Sequence, residues 1–241
     1  MSEALAQSLA RVPVFSRLPP AEISILARAA IRREYESGEH VFREGDFWPH
    51  VLFLASGALR WTLTDTEGRR RVLLDVPCGN LILGHTLFDS LPMPADLEVR
   101  DPATTYGWDE EAIRPVLSAN PGAMWDVCRI QVRALRRMRE LLISLAFQNV
   151  PQRLAALLIR WYPPHSGVVF KRDLTLEEMA AYVGASAALV CKTLYGFADH
   201  GMLSVSRTSI EFLDRPALER VAREGTTSAA GSEDLGSGAA R

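Results

Sequence analysis

The chain has 241 residues, 48% of them hydrophobic and 23% charged, a composition that excludes wholesale disorder and collagen-like repeats. At about 100–200 residues per domain, this length suits one large domain or two modest ones. The net charge of −2 gives no hint of a polyanionic partner, and only Lys171 and Lys192 among the 27 basic residues are lysine.

After Pro19-Pro20, the apolar residues Ile23, Leu26, Ala27 and Ala30 recur at helical spacing and predict a helix over 20–30. From Arg32 to Trp108 the pattern changes. Short β-rich runs (HVFRE, VLFLAS, ALRWTLT, RRVLLDV, LEVRD, TTYGW) are separated by SGE, EGD, SG, DTEG, PCGN and LPMP. Strands this short with Gly-based turns predict a β-sandwich or β-barrel, with Asp65 to Gly68 as a hairpin loop. Residues 109–120 predict a short helix broken by Pro115 and closed by Asn120-Pro121.

The longest helical pattern follows, from Gly122 to about Asn149. Met124, Cys128, Gln131, Leu135, Met138, Leu142 and Leu145 are spaced 4, 3, 4, 3, 4, 3, a heptad-like seam with the arginines mostly off it. A helix of about 40 Å outruns one small β-domain, so the seam predicts a two-helix homodimer rather than packing on the chain's own β-domain.

The second half is helical again in QRLAALLIRWY, then breaks at Pro163-Pro164-His165-Ser166-Gly167 before a short strand, VVFK. Thr175-Leu176-Glu177-Glu178 is a T-x-x-E capping box opening a helix to Val183. Gly184 supplies a turn, and Ser186 caps a second helix to about His200. LSVSRTSIEFL then reads as a hairpin turning at Arg207-Thr208-Ser209. Small Ala180 allows the two helices to cross over Met179, Val183, Val190 and Leu194. That order, helix–turn–helix–hairpin, predicts a winged helix whose second helix can enter a DNA major groove. The tail 225–241 is low in complexity and expected to be disordered.

Several classes fall away. No apolar run approaches 18 residues and the first residues do not read as a signal peptide, so a cytoplasmic protein without membrane association is expected. Cys78, Cys128 and Cys191 are scattered, which argues against disulfides, structural zinc or an iron–sulfur cluster. A cupin-like enzyme would need clustered His and Glu; His40, His50 and His85 are dispersed, so no enzyme, no catalytic residue and no metal site is expected. The near-neutral total conceals asymmetry: residues 1–120 carry −5, 121–150 carry +3 and 151–225 carry +1.

Six stretches taken together carry a resemblance. F15SRLPPAEISILA, S37GEHVFREGD, VLFLASGALR, PCGNLILG, Q152RLAALLI and T175LEEMAAYVGASAALVCKTLYGFADHGMLSV resemble, in order, the motifs of the CRP/FNR superfamily of bacterial transcription regulators along residues 15–223. The resemblance implies an α+β chain. An effector-sensing β-roll (jelly-roll, cyclic-nucleotide-binding-like) spans 1–120, a dimerisation helix 121–149 and a winged-helix DNA-binding domain 150–224. It implies double-stranded DNA, a small-molecule effector and a second copy of the chain as partners, with RNA polymerase as a further candidate. Effector contacts are expected from Gly84, His85, Leu87, Phe88, Met124 and Gln131. DNA contacts are expected from Thr175, Ser186, Ala187, Ala188, Leu189, Lys192, Thr193, Arg207 and Thr208, with Lys171 and Arg172 nearby.

Two departures qualify the resemblance. Cyclic-nucleotide-binding members carry G-E-L-x-L-F followed by R-[ST]; here His85 replaces the Glu and Ala95-Asp96 stand where Arg-Ser would be. A small-molecule or redox-related effector, not a cyclic nucleotide, is therefore expected. Haem, with His85 and Cys78 as axial ligands, is a lesser alternative. Many members also read S-R-E-x-V-x-R in the recognition helix. Here it is Ser186-Ala187-Ala188-Leu189-Val190-Cys191-Lys192, so both leading base readers are alanine and each lost bidentate contact removes about 1–3 kcal/mol of discrimination. An altered operator is expected; the alternative is a protein that has lost specific DNA recognition and serves as a ligand-binding or interaction module.

Overall fold

A computed structural model describes residues 2–163 and 168–224, so the expected disorder of 225–241 and residues 164–167 of the 163–167 break lie outside the described residues. The chain divides into two compact units, Met1–Leu142 and Ile143–Arg241.

The first unit opens with helices α1 (Ser2–Leu9) and α2 (Pro20–Ala29). Six strands follow: β1 (Ile31–Tyr35), β2 (His40–Phe42), β3 (His50–Thr64), β4 (Arg70–Pro77), β5 (Leu81–Leu83) and β6 (Asp96–Asp109). A one-turn helix α3 (Thr86–Asp89) precedes β6; α4 (Glu110–Ala119) and α5 (Pro121–Phe147) follow it. All pairings are antiparallel, in the order β1-β6-β3-β4, with β2 also on β6 and β5 also on β3.

Alternation of side chains across a strand explains how one sheet serves two cores. Val51 and Phe53 on β3, with Leu81 and Leu83 on β5, face a core built from α1, α2, α4 and the start of α5. Leu52, Leu54 and Leu59 on β3, with Ile82 on β5, face the interior of the roll beside Phe42, Met93, Leu97 and Val99. Burial on both faces accounts for the unbroken apolar run VLFL. Buried Trp108 ties β6 to α2 by donating from Nε1 to the Leu26 carbonyl at 2.8 Å.

Four expectations change. VLFLAS and ALRWTLT form one 15-residue strand, β3, and LEVRD and TTYGW form one 14-residue strand, β6. The two bend together at Gly57, whose φ is +81° and where a Cβ would lie 2.3 Å from the Pro102 carbonyl oxygen. The Ser-Gly pair that reads as a turn is thus a bulged bend within one continuous strand. Pro115 sits inside α4 rather than breaking it. Its missing N–H removes one hydrogen bond, while the Asp109 cap and buried Ile113 and Leu117 hold the helix on either side. The strands β1 and β5, the helix α1 and the last helix of the second unit are present where no separate element is expected from the sequence.

The second unit contains α6 (Val150–Trp161), β7 (Val169–Lys171), α7 (Leu176–Val183), α8 (Ala187–Asp199), β8 (Leu203–Val205), β9 (Ser209–Phe212) and α9 (Arg215–Glu224). The strands form a β7-β9-β8 sheet. Met179, Ala180, Val183, Val190 and Leu194 are buried in one core with Leu154, Leu158 and Leu218.

Candidate nucleic-acid interface and effector cavity

The α7–turn–α8 segment is fixed by local chemistry. Thr175 Oγ1 accepts from the Glu178 N–H at 3.1 Å and the Glu178 carboxylate accepts from the Thr175 N–H at 2.9 Å, closing the capping box. Gly184 ends α7 in the left-handed region at φ 74°, and the Gly184 N–H donates to the Ala180 carbonyl at 2.7 Å. Ser186 Oγ accepts from the Leu189 N–H at 3.2 Å and starts α8. Arg153 on α6 donates from Nε to the Val183 carbonyl at 2.7 Å, so a cation holds the end of α7 in place, a function its sequence context does not reveal.

Val190, Leu194 and Phe197 turn α8 inward. The opposite face exposes Ser186, Ala188, Leu189, Lys192 and Tyr195. Ala187 is half-buried, and Thr193 donates its hydroxyl back to the Leu189 carbonyl at 2.8 Å. Arg207 and Thr208 are exposed at the turn between β8 and β9. Arg172 donates to the Leu174 and Ser206 carbonyls and so braces the base of that wing. Tyr195 was missed in the sequence reading; its place three residues after Lys192 is the signal that could have found it.

In the first unit a cavity of about 460 Å³ lies between the roll and α5. Trp61, Val76, Pro77, Leu81, Leu83 and Ala95 form an apolar wall; Asp75, Asn80 and His85 add polar groups, and Gln131, Arg133, Arg137 and Met138 come from the helix. His85 stacks on Trp61 at 5.5 Å with the rings 13° apart. Burial lowers the His85 pKa, partly opposed by the Asp89 charge, so the imidazole is neutral near pH 7. Among the described residues Arg133 and Arg137 make no ion pair.

Of the expected effector contacts, His85 and Gln131 line this cavity. Gly84 is instead pressed under Trp48, where a Cβ would lie 2.3 Å from the Trp48 carbonyl oxygen. Leu87 and Met124 pack in the helix-side core, and Phe88 is 43% exposed. Cys78 is exposed and does not line the cavity with His85. The Asp96 carboxylate accepts from the Glu44 N–H at 2.7 Å. Arg133 and Arg137 escaped the sequence reading because only packing says which side of α5 faces the roll.

The heptad-like stripe on α5 divides. Gln131 and Met138 turn to the cavity and Met124 to the core, while Cys128, Leu135 and Leu142 are exposed. The outward stripe is therefore Trp125, Cys128, Val132, Leu135 and Leu142, with Trp125 and Leu135 each 69% exposed. It includes Trp125 and Val132, which the expected seam omitted. At 3.6 residues per turn a one-residue shift turns a stripe by about 100°, so the expected seam straddles the buried face and the free one.

The family models match where these sites lie. A cyclic nucleotide-binding domain matches residues 32–120, and a Crp-like helix-turn-helix domain matches residues 152–221. The chain belongs to the CRP/FNR superfamily. As a member it is a DNA-binding transcription regulator. A CRP-like cAMP-activated global transcriptional regulator of Mycobacterium tuberculosis is 28% identical over 220 residues, covering 89% of this chain and 98% of the relative. A cyclic AMP receptor protein of Thermus thermophilus is 24% identical, covering 87% and 96%. In fold, the chain is similar to a solved transcriptional regulator of the crp/fnr family from Eubacterium rectale, with a TM-score of 0.77 at 18% identity, covering 88% of this chain and 98% of that one. Within this CRP/FNR chain the roll and the helix-turn-helix are therefore the family's two modules, and the α+β fold expected from the sequence is present. No described helix is long and apolar enough to cross a membrane.

Proposed function

We propose that the protein is a homodimeric regulator whose DNA affinity changes when a small molecule other than a cyclic nucleotide occupies the cavity between the roll and α5. Residues 1–120 act as the sensor, 121–149 as the dimer helix and 150–224 as the DNA reader. One observation carries the effector reading: the strand-side wall of the cavity contains no Lys or Arg. Ala95 lines that wall, and the neighbouring Asp96 carboxylate is engaged by a backbone N–H. A cyclic phosphate laid there would meet no cation. The cavity's two free cations, Arg133 and Arg137, come from the opposite wall, and Trp61 stacked on neutral His85 offers a flat apolar surface. That chemistry suits a planar organic molecule whose anionic end points at the helix.

The relatives named for cyclic AMP make the test direct. Titration calorimetry of the full chain with cyclic AMP and cyclic GMP is expected to give no heat of binding at 100 μM or below, about the range in which a working nucleotide site would register. Micromolar binding of either nucleotide would sink the effector reading while leaving the DNA-binding assignment intact. Native mass spectrometry of the purified protein then reports any retained ligand.

The homodimer reading rests on the outward stripe of α5. Trp125, Val132, Leu135 and Leu142 expose large apolar side chains along one helix face. Such a face is stabilised by a second copy with the same spacing. A two-fold dimer would set two copies of α8 about one DNA turn apart on a pseudo-palindrome.

A further inference from the structure

The recognition helix displays an unusual set of chemistries. Its free face presents the Ala188 methyl, Leu189 at 43% exposure, Lys192 and Tyr195 at 45% exposure. The two short-chain hydroxyls at this end of the helix each spend one hydrogen bond on its own backbone. Ser186 Oγ caps the Leu189 N–H, and Thr193 Oγ1 donates to the Leu189 carbonyl. Asp199, the one carboxylate on the helix, stands in its last residue, away from the end that enters a groove. The face is therefore apolar at its N-terminal turn, with one cation a turn later and a phenol beyond it.

Major-groove base edges offer donors, acceptors and a single apolar group, the thymine 5-methyl. A leucine exposed on a helix whose core side is already filled by Val190, Leu194 and Phe197 has no packing duty within the described residues. We infer that Ala188 and Leu189 read thymine methyls, and that Lys192 selects one guanine through its O6 and N7 acceptors. The half-site would then hold adjacent T·A pairs beside one G·C pair. Specificity would rest on apolar contact where two bidentate side chains would otherwise serve. The alanines at 187 and 188 would then change what is read instead of abolishing reading.

The test replaces thymine by deoxyuridine, which removes the 5-methyl and keeps base pairing and phosphates unchanged. Sites are first selected from random duplex DNA with the full chain. Binding to the enriched duplex is then measured by fluorescence anisotropy. Each deoxyuridine at the contacted positions is expected to weaken binding about fourfold, the loss of one buried methyl. The salt dependence should not change, because phosphate contacts are retained. Leu189→Ala should bind thymine and deoxyuridine duplexes alike at its position. Lys192→Gln should relax the preference at the G·C pair and keep the deoxyuridine effect. Thermal melting checks that both variants fold, which their exposure favours.

Three results would overturn the inference. One is an enriched site whose affinity ignores deoxyuridine. Another is a deoxyuridine effect that survives unchanged in Leu189→Ala, placing methyl readout elsewhere. The third is an enriched half-site that lacks adjacent T·A pairs beside a G·C pair, which would mean the helix reads other base edges. None of these results bears on the effector cavity, which calorimetry tests separately.

Discussion

Glu98→Gln tests how β3, β4 and β6 of the roll are held together. Glu98 lies on β6, opposite both Arg60 on β3 and His40 on β2. It accepts from Arg60 at 2.7 Å and from Arg70 on β4 at 2.8 Å. The side chains of Arg60 and Glu98 are only 6% and 4% exposed, so the pair is cut off from water. Burial alone would push the Glu98 carboxyl up. The hydrogen bond and charge of Arg60, followed by the charges of Arg70 and His40, outweigh it and hold the pKa below the ordinary value. Glutamine keeps the shape and removes the charge that the Arg60 and Arg70 guanidinium groups face. Losing the hydrogen bonds to a charged carboxylate costs about 1.5–3 kcal/mol. Urea denaturation should show that loss as a lower midpoint with an unchanged slope, since the surface exposed on unfolding is the same. The pH dependence has a definite sign. A carboxyl depressed in the folded state stabilises it above the ordinary carboxylate pKa, and that stability disappears as pH falls through the folded value. The wild-type protein should therefore lose stability faster than Glu98→Gln on acidification below about pH 4. A Glu98→Gln protein within 1 kcal/mol of wild type, by about the error of such an extrapolation, with the same acid limb, would refute this account of the buried cluster.

Three further outcomes are expected. Gly57→Ala places a Cβ 2.3 Å from the Pro102 carbonyl oxygen at a φ of +81° and should destabilise the roll by at least about 2 kcal/mol, read by chemical denaturation. Trp108→Phe leaves the Leu26 carbonyl without its 2.8 Å donor and should cost about 1–3 kcal/mol in the same assay. Leu135→Asp puts a charge in the middle of the outward stripe of α5, where the leucine is 69% exposed in the single chain. It should convert dimer to monomer in analytical ultracentrifugation without lowering the melting temperature of the single chain; a dimer unaffected by the change would mean the stripe is not the interface.

Much of the second unit was legible because its signals are local. The T-x-x-E box, the left-handed glycine and the Ser186 cap each act within four residues, and each appears with the hydrogen bonds its spacing requires. The buried set Met179, Val183, Val190 and Leu194 followed from helical periodicity alone. The roll was legible as β-structure but not as to where strands end, because Ser56-Gly57 looks the same in a turn and in a bend within a ladder. Only the close approach of Pro102, 45 positions away, distinguishes them.

The amino-acid order thus determined the kinds of element, the caps and the family. Tertiary packing decided which face of α5 meets its own roll and which remains free, since apolar residues occur on both sides of the helix. It also decided the cavity's chemistry, which joins Trp61, His85, Ala95 and Arg133 from four separate segments. No short window contains that set, and a pocket's charge depends on which side chains converge on it, not on their order in the chain.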